Sequence, residues 1–193
     1  MEQLWFYLVL GFEHVMDVNG LDHFYFLIAL TLPFVYTDWK KLLWLVTLFT
    51  LGHSFSLVLA YFGWVSVSGS WVEFLIPITI IITCISLLSK KQTRNSKKIS
   101  RFADPITLIF GLIHGLGFGR YFSQIVLEED AYPALLSFAI GVEIAQLLIV
   151  SGVVLINMFV FFFLKKLKHK WQWIIASMIL SQALGMAIEN SPF

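Results

Sequence analysis

The chain has 193 residues, 59% of them hydrophobic and 13% charged, with a mean hydropathy of +0.83. Soluble domains carry about 25% charged residues, so a soluble fold is excluded and a polytopic membrane protein is expected. A net charge of +1 leaves no basic surface for nucleic acid, and the single cysteine, Cys84, rules out an intramolecular disulfide.

About 20 apolar residues cross a bilayer as a helix. On that measure seven segments can be drawn, at 4–18, 21–36, 42–63, 71–89, 105–119, 133–164 and 171–188. The expectation is an all-α integral membrane protein of about seven transmembrane helices in a single domain spanning 1–193. The chain begins MEQLWF, without a basic stretch or a small-residue cleavage site, so the first segment reads as a retained span. The first, second and fifth segments are short. The sixth is too long for an upright crossing, so it tilts, bends near Gly152 or extends past the bilayer. Asp104 followed by Pro105 reads as a helix cap with proline in the first turn, starting the fifth helix.

Charge gives an orientation. Lys40 and Lys41 follow the second segment; Lys90, Lys91, Arg94, Lys97, Lys98 and Arg101 follow the fourth; Lys165, Lys166, Lys168 and Lys170 follow the sixth. These are 12 of the 13 basic residues, and Arg120 alone falls on the other side. Cytoplasmic loops are enriched in Lys and Arg, so both the N-terminus and these loops are expected in the cytoplasm and the C-terminus outside. The multi-pass protein then belongs in a bacterial inner (cytoplasmic) membrane. The basic stretch 90–101 reads as a topology signal rather than a site for anionic lipid.

Four of the five histidines fall within apolar segments: His14, His23, His53 and His114. On the seven-span topology all four lie at similar depth, between the midplane and the outer surface, on four different helices. Ionisable groups at that depth cost free energy, about 2.5–3.5 kcal/mol for an Asp at mid-span, and usually face a bundle interior. They are joined by carboxylates and amides. The turn GFEHVMDVNGLDH, residues 11–23, holds Glu13, Asp17 and Asp22, and the sixth segment holds Glu143 and Gln146 three residues apart. Imidazole with carboxylate is a ligand vocabulary for first-row divalent metals. The candidate metal residues are His14, Asp22, His23, His53, His114 and Glu143, with Asp17 and Gln146 in supporting positions. If helical geometry continues past His14, Asp17 is one turn away and within reach. Asp22 and His23 point in different directions, so one can bind while the other orients an imidazole. His169 sits among lysines and reads as a solvated base. Gly111, Gly115 and Gly119 recur every fourth residue, a small-residue stripe for close helix contact, and Gly52, Ser54 and Ser56 flank His53 in the same way.

Four stretches in series, GFEHVMDVNGLDHFYFLIAL, LFTLGHSFSLVLA, FGLIHGLGFG and FAIGVEIAQL, resemble the successive motifs of the HupE/UreJ membrane proteins. These are hydrogenase and urease accessory proteins, and the likeness is to their shorter second branch. It runs from Gly11 to Leu148, with the first motif stretched by MDVNG. The resemblance implies divalent metal handling of the nickel or cobalt type, and carries His14, Asp22, His23, His53, His114 and Glu143 as its motif positions.

Three functions are compatible with these residues. The first is a permease or metal-handling accessory protein for nickel, cobalt, zinc or copper, alone, as a homo-oligomer or with a metalloenzyme-maturation partner. The second is an intramembrane zinc hydrolase with three His ligands and Glu143 or Asp22 as the base. The third is a haem-binding or assembly subunit. Beyond the histidines the inner half offers few polar groups: Thr47, Thr50, Thr107 and Asn157.

Overall fold

A computed structural model describes residues 2–18, 20–89, 96–126, 131–163 and 168–193, with side chains described throughout these except at 96–102, 120 and 168. Among the described residues the chain forms seven α-helices and one short 3-10 turn. They are α1 (Glu2–Met16), α2 (Asp22–Thr31), α3 (Trp39–Tyr61), α4 (Gly69–Leu88), α5 (Ser96–Ile125), α6 (Ala131–Phe163) and α7 (Lys168–Glu189), with the 3-10 turn at Tyr36–Asp38 before α3. Each sequence segment therefore becomes a helix. The stretches 90–95 and 164–167, which hold Lys90, Lys91, Arg94, Lys165 and Lys166 of the basic residues used to orient the chain, lie outside the described residues.

Four helical stretches are long and apolar enough to cross a membrane: Tyr36–Tyr61, Gly69–Leu88, Ala131–Phe163 and His169–Glu189. The helices α1 and α2 fall short for a local reason: between them lies the polar turn at 17–21, and α2 has only 10 residues. Pro33, which has no N–H to continue the ladder, follows its end. The Leu32 carbonyl is then hydrogen-bonded from across the bundle, by Gln172 Nε2 at 2.8 Å and Asn157 Nδ2 at 3.5 Å. Backbone polar groups with no access to water need such partners.

One helix boundary differs from the sequence reading. The helix α5 starts at Ser96 and runs through Asp104 and Pro105, so Asp104 is not its cap. The Asp104 carboxylate instead accepts a charged hydrogen bond from Lys41. Proline removes only one donor from the ladder, and a helix of 30 residues absorbs that loss. The long α6 is continuous through Gly152.

Helix directions follow from which residues meet. Gly111 and Gly115 of α5 lie against the carbonyls of Phe49 and His53 of α3, and Gly119 against Ala60, so these two helices run parallel. Gly52 of α3 returns the contact against the Leu108 carbonyl. Gly11 of α1 abuts the Phe138 carbonyl and Gly141 of α6 the Leu8 carbonyl, an antiparallel pair. At each of these glycines a Cβ would collide with backbone or with a packed side chain, so the two seams exist only because the side chain is hydrogen. The C-terminal ends of α2 and α4 share a cavity of about 230 Å³ with the start of α5, lined by Pro33, Ser86, Leu87 and Ala103 among others. The Asn157 and Gln172 contacts bring α6 and α7 to that same end. The histidine-bearing α1–α2 turn occupies the other half.

Candidate metal centre

Four helices each deliver one imidazole: His14 near the end of α1, His23 in the first turn of α2, His53 from α3 and His114 from α5. The parallel α3–α5 seam sets two of them. Gly115, the residue after His114, packs directly on the His53 carbonyl, so the two backbones approach as closely as helices can. Ser56 Oγ donates to that same carbonyl at 3.0 Å.

The rings converge. His14 and His23 have centroids 4.8 Å apart, His23 and His114 4.9 Å, His14 and His53 5.5 Å, and His23 and His53 5.9 Å. One ligand atom from each of His14, His23 and His53 lies within 4.8 Å of the others. A tetrahedral ion at Zn–N distances of about 2.0–2.1 Å would place its nitrogens about 3.3 Å apart. His114 stands outside that group of three, with its ring against His23.

The hydrogen-bond accounting is more informative than the spacing. His114 Nδ1 donates to the Phe110 carbonyl at 2.8 Å, one turn back on its own helix. His23 Nδ1 donates to Asp22 Oδ1 at 3.1 Å, and Asp22 Oδ1 also accepts the His23 backbone N–H at 2.8 Å. With both rings in the neutral form a metal ligand requires, Nδ1 carries the proton and Nε2 the lone pair. Those Nε2 atoms, together with His14 Nε2 and both ring nitrogens of His53, are buried without a hydrogen-bond partner. A buried polar atom without a partner costs about 1–3 kcal/mol, and five such atoms in one cluster of rings are unexplained as packing. They match what a metal needs: neutral imidazoles with a free lone pair, and outer hydrogen bonds that fix the tautomer.

Phenylalanines wall the cluster. Phe138 stacks on His53 at 6.1 Å, Phe118 lies 4.2 Å from His14, and Phe49 meets His114 edge-on at 5.1 Å. An apolar shell of this kind limits solvent access and lowers the local dielectric. It opens on one side. A cleft of about 610 Å³, lined by Glu13, His14, Asp17, Phe118 and Tyr121 with three aliphatic neighbours, reaches His14. His23, His53 and His114 are buried behind it.

The remaining candidates are placed as follows. Asp22 is joined to His23 in a carboxylate–histidine pair. The helix α1 ends at Met16, so Asp17 stands beyond it in the turn, on the cleft shared with His14. Glu143 is not in the imidazole group. Its Oε1 accepts from Thr47 Oγ1 at 2.7 Å and its Oε2 from Thr50 Oγ1, with Gln146 Oε1 3.2 Å from that same hydroxyl. His169 is exposed at the start of α7, away from the centre. Sequence reasoning missed the phenylalanine wall. A faint signal existed, since Phe118 follows His114 by one turn and Phe49 precedes His53 by one turn.

A sequence model described as HupE / UreJ protein matches residues 1–190. The chain belongs to the HupE/UreJ family. No curated protein and no solved structure matches it. Membership joins the all-helical, membrane-type fold to a family that suggests a membrane metal-accessory function, and a cluster of three histidines that could hold a metal ion is present.

Proposed function

We propose that this HupE/UreJ protein takes up a first-row divalent cation, of the nickel or cobalt type, at His14, His23, His53 and His114 in the membrane. The observation that carries this reading is the set of buried ring nitrogens without partners on His14, His23, His53 and His114, with one ligand atom from each of the first three within 4.8 Å of the others. Nitrogen ligands of borderline softness suit nickel, cobalt, zinc and copper(II) over magnesium or calcium. The cleft gives the route. Glu13 and Asp17 at its rim attract a dication, which meets His14 first and then the three buried rings. With the basic loops cytoplasmic, the cleft faces outward and the ion arrives from outside the cell. Asp22 orients His23 and offsets part of the dication's charge. Transport is favoured over storage because every contact in the proposed site is a side chain near a helix end or a glycine seam, where small rotations release the ion.

One observation supports a second reading. His14, His23 and His53 form a compact group of three open to the cleft at His14. Three ligands with one open position is the pattern of a catalytic zinc, which activates water. Asp22 is committed to His23 and Glu143 to Thr47 and Thr50, so the base would have to come from the cleft, from Glu13 or Asp17.

Elemental analysis of the purified protein, followed by Ni²⁺, Co²⁺ and Zn²⁺ titration of the chelator-stripped form, tests both. Exchangeable stoichiometric binding of Ni²⁺ or Co²⁺, lost in His53→Ala, supports the permease reading. Zinc that survives purification supports the hydrolase. Absence of binding by all three metals would overturn the metal centre.

A further inference from the structure

The imidazoles lie between two cavities. On one side is the cleft that reaches His14 past Glu13 and Asp17. On the other is the cavity of about 230 Å³ between α2, α4 and α5. The helix α2 is short, ending at Thr31 ahead of Pro33, and this second cavity lies along its last turns and beyond them. Thr83, Ser86, Ser89 and Thr107 place hydroxyl groups in a lining that is otherwise apolar. Ala103 closes the list of small residues there, and the next residue, Asp104, is paired with Lys41, which marks that end of the bundle.

One layer of rings separates this cavity from the imidazoles. Phe26 and Phe110 both line the cavity and meet edge-on, with centroids 5.5 Å apart. The Phe26 ring also lies 5.9 Å from His114 and stacks at 5.1 Å on Phe49, whose ring is in turn 5.9 Å from His23. The Phe110 carbonyl accepts from His114 Nδ1 at 2.8 Å. Phe26 and Phe110 therefore adjoin an imidazole on one side and the cavity on the other. Each is tied to a histidine of its own helix. Phe26 follows His23 by three residues on α2, and Phe110 precedes His114 by four on α5, so each pair shares a helix face. Packed interiors hold few voids larger than a water molecule. Here the void adjoins the ring layer, and it gives the Phe26 ring room to change rotamer without displacing a helix.

We propose that Phe26 and Phe110 form a gate on the side of the metal centre opposite the cleft, and that the cavity behind them is the vestibule into which the ion is released. The inference rests on the uptake reading above and supplies its exit. Apolar constrictions gate ion pathways by excluding water, and a layer of phenyl rings is such a constriction. In this structure the centre is open at His14 and closed at Phe26. Rotation of Phe26 into the cavity would join the imidazoles to the hydroxyl-bearing vestibule and to the end of the bundle that carries Lys41.

The test is thiol accessibility in the full chain in membrane vesicles. Cys84→Ala removes the single native thiol, and a small charged methanethiosulfonate is applied from the side bearing Lys41. Thr83→Cys, in the cavity lining, should be labelled. His114→Cys, behind the rings, should stay unlabelled from that side and become labelled when Phe26→Ala is added. Ala176→Cys, fully buried on α7, should stay unlabelled throughout and so reports that the fold is kept. If Phe26→Ala exposes it, Phe26→Leu replaces that variant. An unlabelled Thr83→Cys, or a His114→Cys labelled with both rings intact, would overturn the gate. So would a His114→Cys that stays unlabelled when Phe26 and Phe110 are both alanine. Flux ties the gate to the metal. Ala103→Phe, or Ala103→Leu if the ring disturbs binding, fills the cavity and should bind Co²⁺ in detergent as wild type does while Co²⁺ uptake into proteoliposomes is lost. Uptake at the wild-type rate in that variant would overturn the vestibule. Failure of the wild type to bind metal would overturn the uptake reading itself, and the labelling, which uses no metal, distinguishes the two failures.

Discussion

The carboxylate of Asp22 gives the sharpest test of how the metal centre is built. Its Oδ1 lies 3.1 Å from His23 Nδ1, on the far side of the ring from the nitrogen offered to the metal. A dication on Nε2 would then lie about 7 Å from that oxygen, adding a Zn–N distance of about 2 Å and the width of the ring. Coulomb's law at an effective dielectric of about 20 gives roughly 4–5 kcal/mol for that pair. The net value is smaller, because the carboxylate keeps its bonds to the His23 amide and ring without the ion. Carboxylates in this position typically change metal affinity by about 10–100-fold, equivalent to about 1.4–2.7 kcal/mol. Asp22→Asn preserves the shape and an acceptor oxygen, so it removes the charge and little else. We expect Ni²⁺ or Co²⁺ to bind this variant with full stoichiometry and about 10–100-fold weaker affinity, read by isothermal titration or by competition with a chromophoric chelator. Asp22→Ala, which also frees the ring to rotate, should lie at the weak end of that range or beyond it. If Asp22→Asn loses stoichiometric binding outright, Asp22 is itself a ligand and the orienting role is wrong. If Asp22→Ala binds as tightly as wild type, the carboxylate contributes nothing.

Other substitutions probe the rest of the architecture. His114→Ala should abolish stoichiometric metal while leaving a monodisperse protein in detergent, and unchanged metal content would remove His114 from the centre. His169→Ala, at the exposed start of α7, should leave metal binding unaltered; a loss would place that residue in the centre and overturn the arrangement described above. Gly115→Ala introduces a Cβ against the His53 carbonyl and Ser56 Oγ, so the unfolding temperature should fall by the equivalent of about 1–3 kcal/mol. Metal affinity should fall with it, because His53 and the α3–α5 seam shift together. Normal affinity in a destabilised Gly115→Ala would separate packing from the site.

The convergence of the histidines was legible in the chain, for a reason rooted in the bilayer. Four histidines in apolar helices are expensive, so their presence and common depth already indicated one cluster, and His14, His23, His53 and His114 do meet. The glycine stripe was readable because only a residue without a side chain permits backbone contact, and Gly111 and Gly115 make that contact. Glu143 was the harder case. Depth alone put it near the imidazoles, but depth does not fix which way a side chain turns around its helix. Thr47 and Thr50 claim both of its oxygens. The supposed cap at Asp104 failed for a similar reason. A local signal for a helix start gave way to a long-range ion pair with Lys41, 63 residues earlier in the chain.

The sequence by itself determined that the chain is helical and apolar, where the seven helices among the described residues lie, and which ionisable residues fall in apolar segments. Those properties follow from transfer free energies, which each segment carries with it. Only the tertiary structure decided the pairing of helices, the tautomers of His23 and His114, and the separation of a nitrogen cluster from an oxygen cluster. Such properties arise from rotation and contact between helices distant in sequence, where an ångström decides whether a carboxylate meets an imidazole or a threonine.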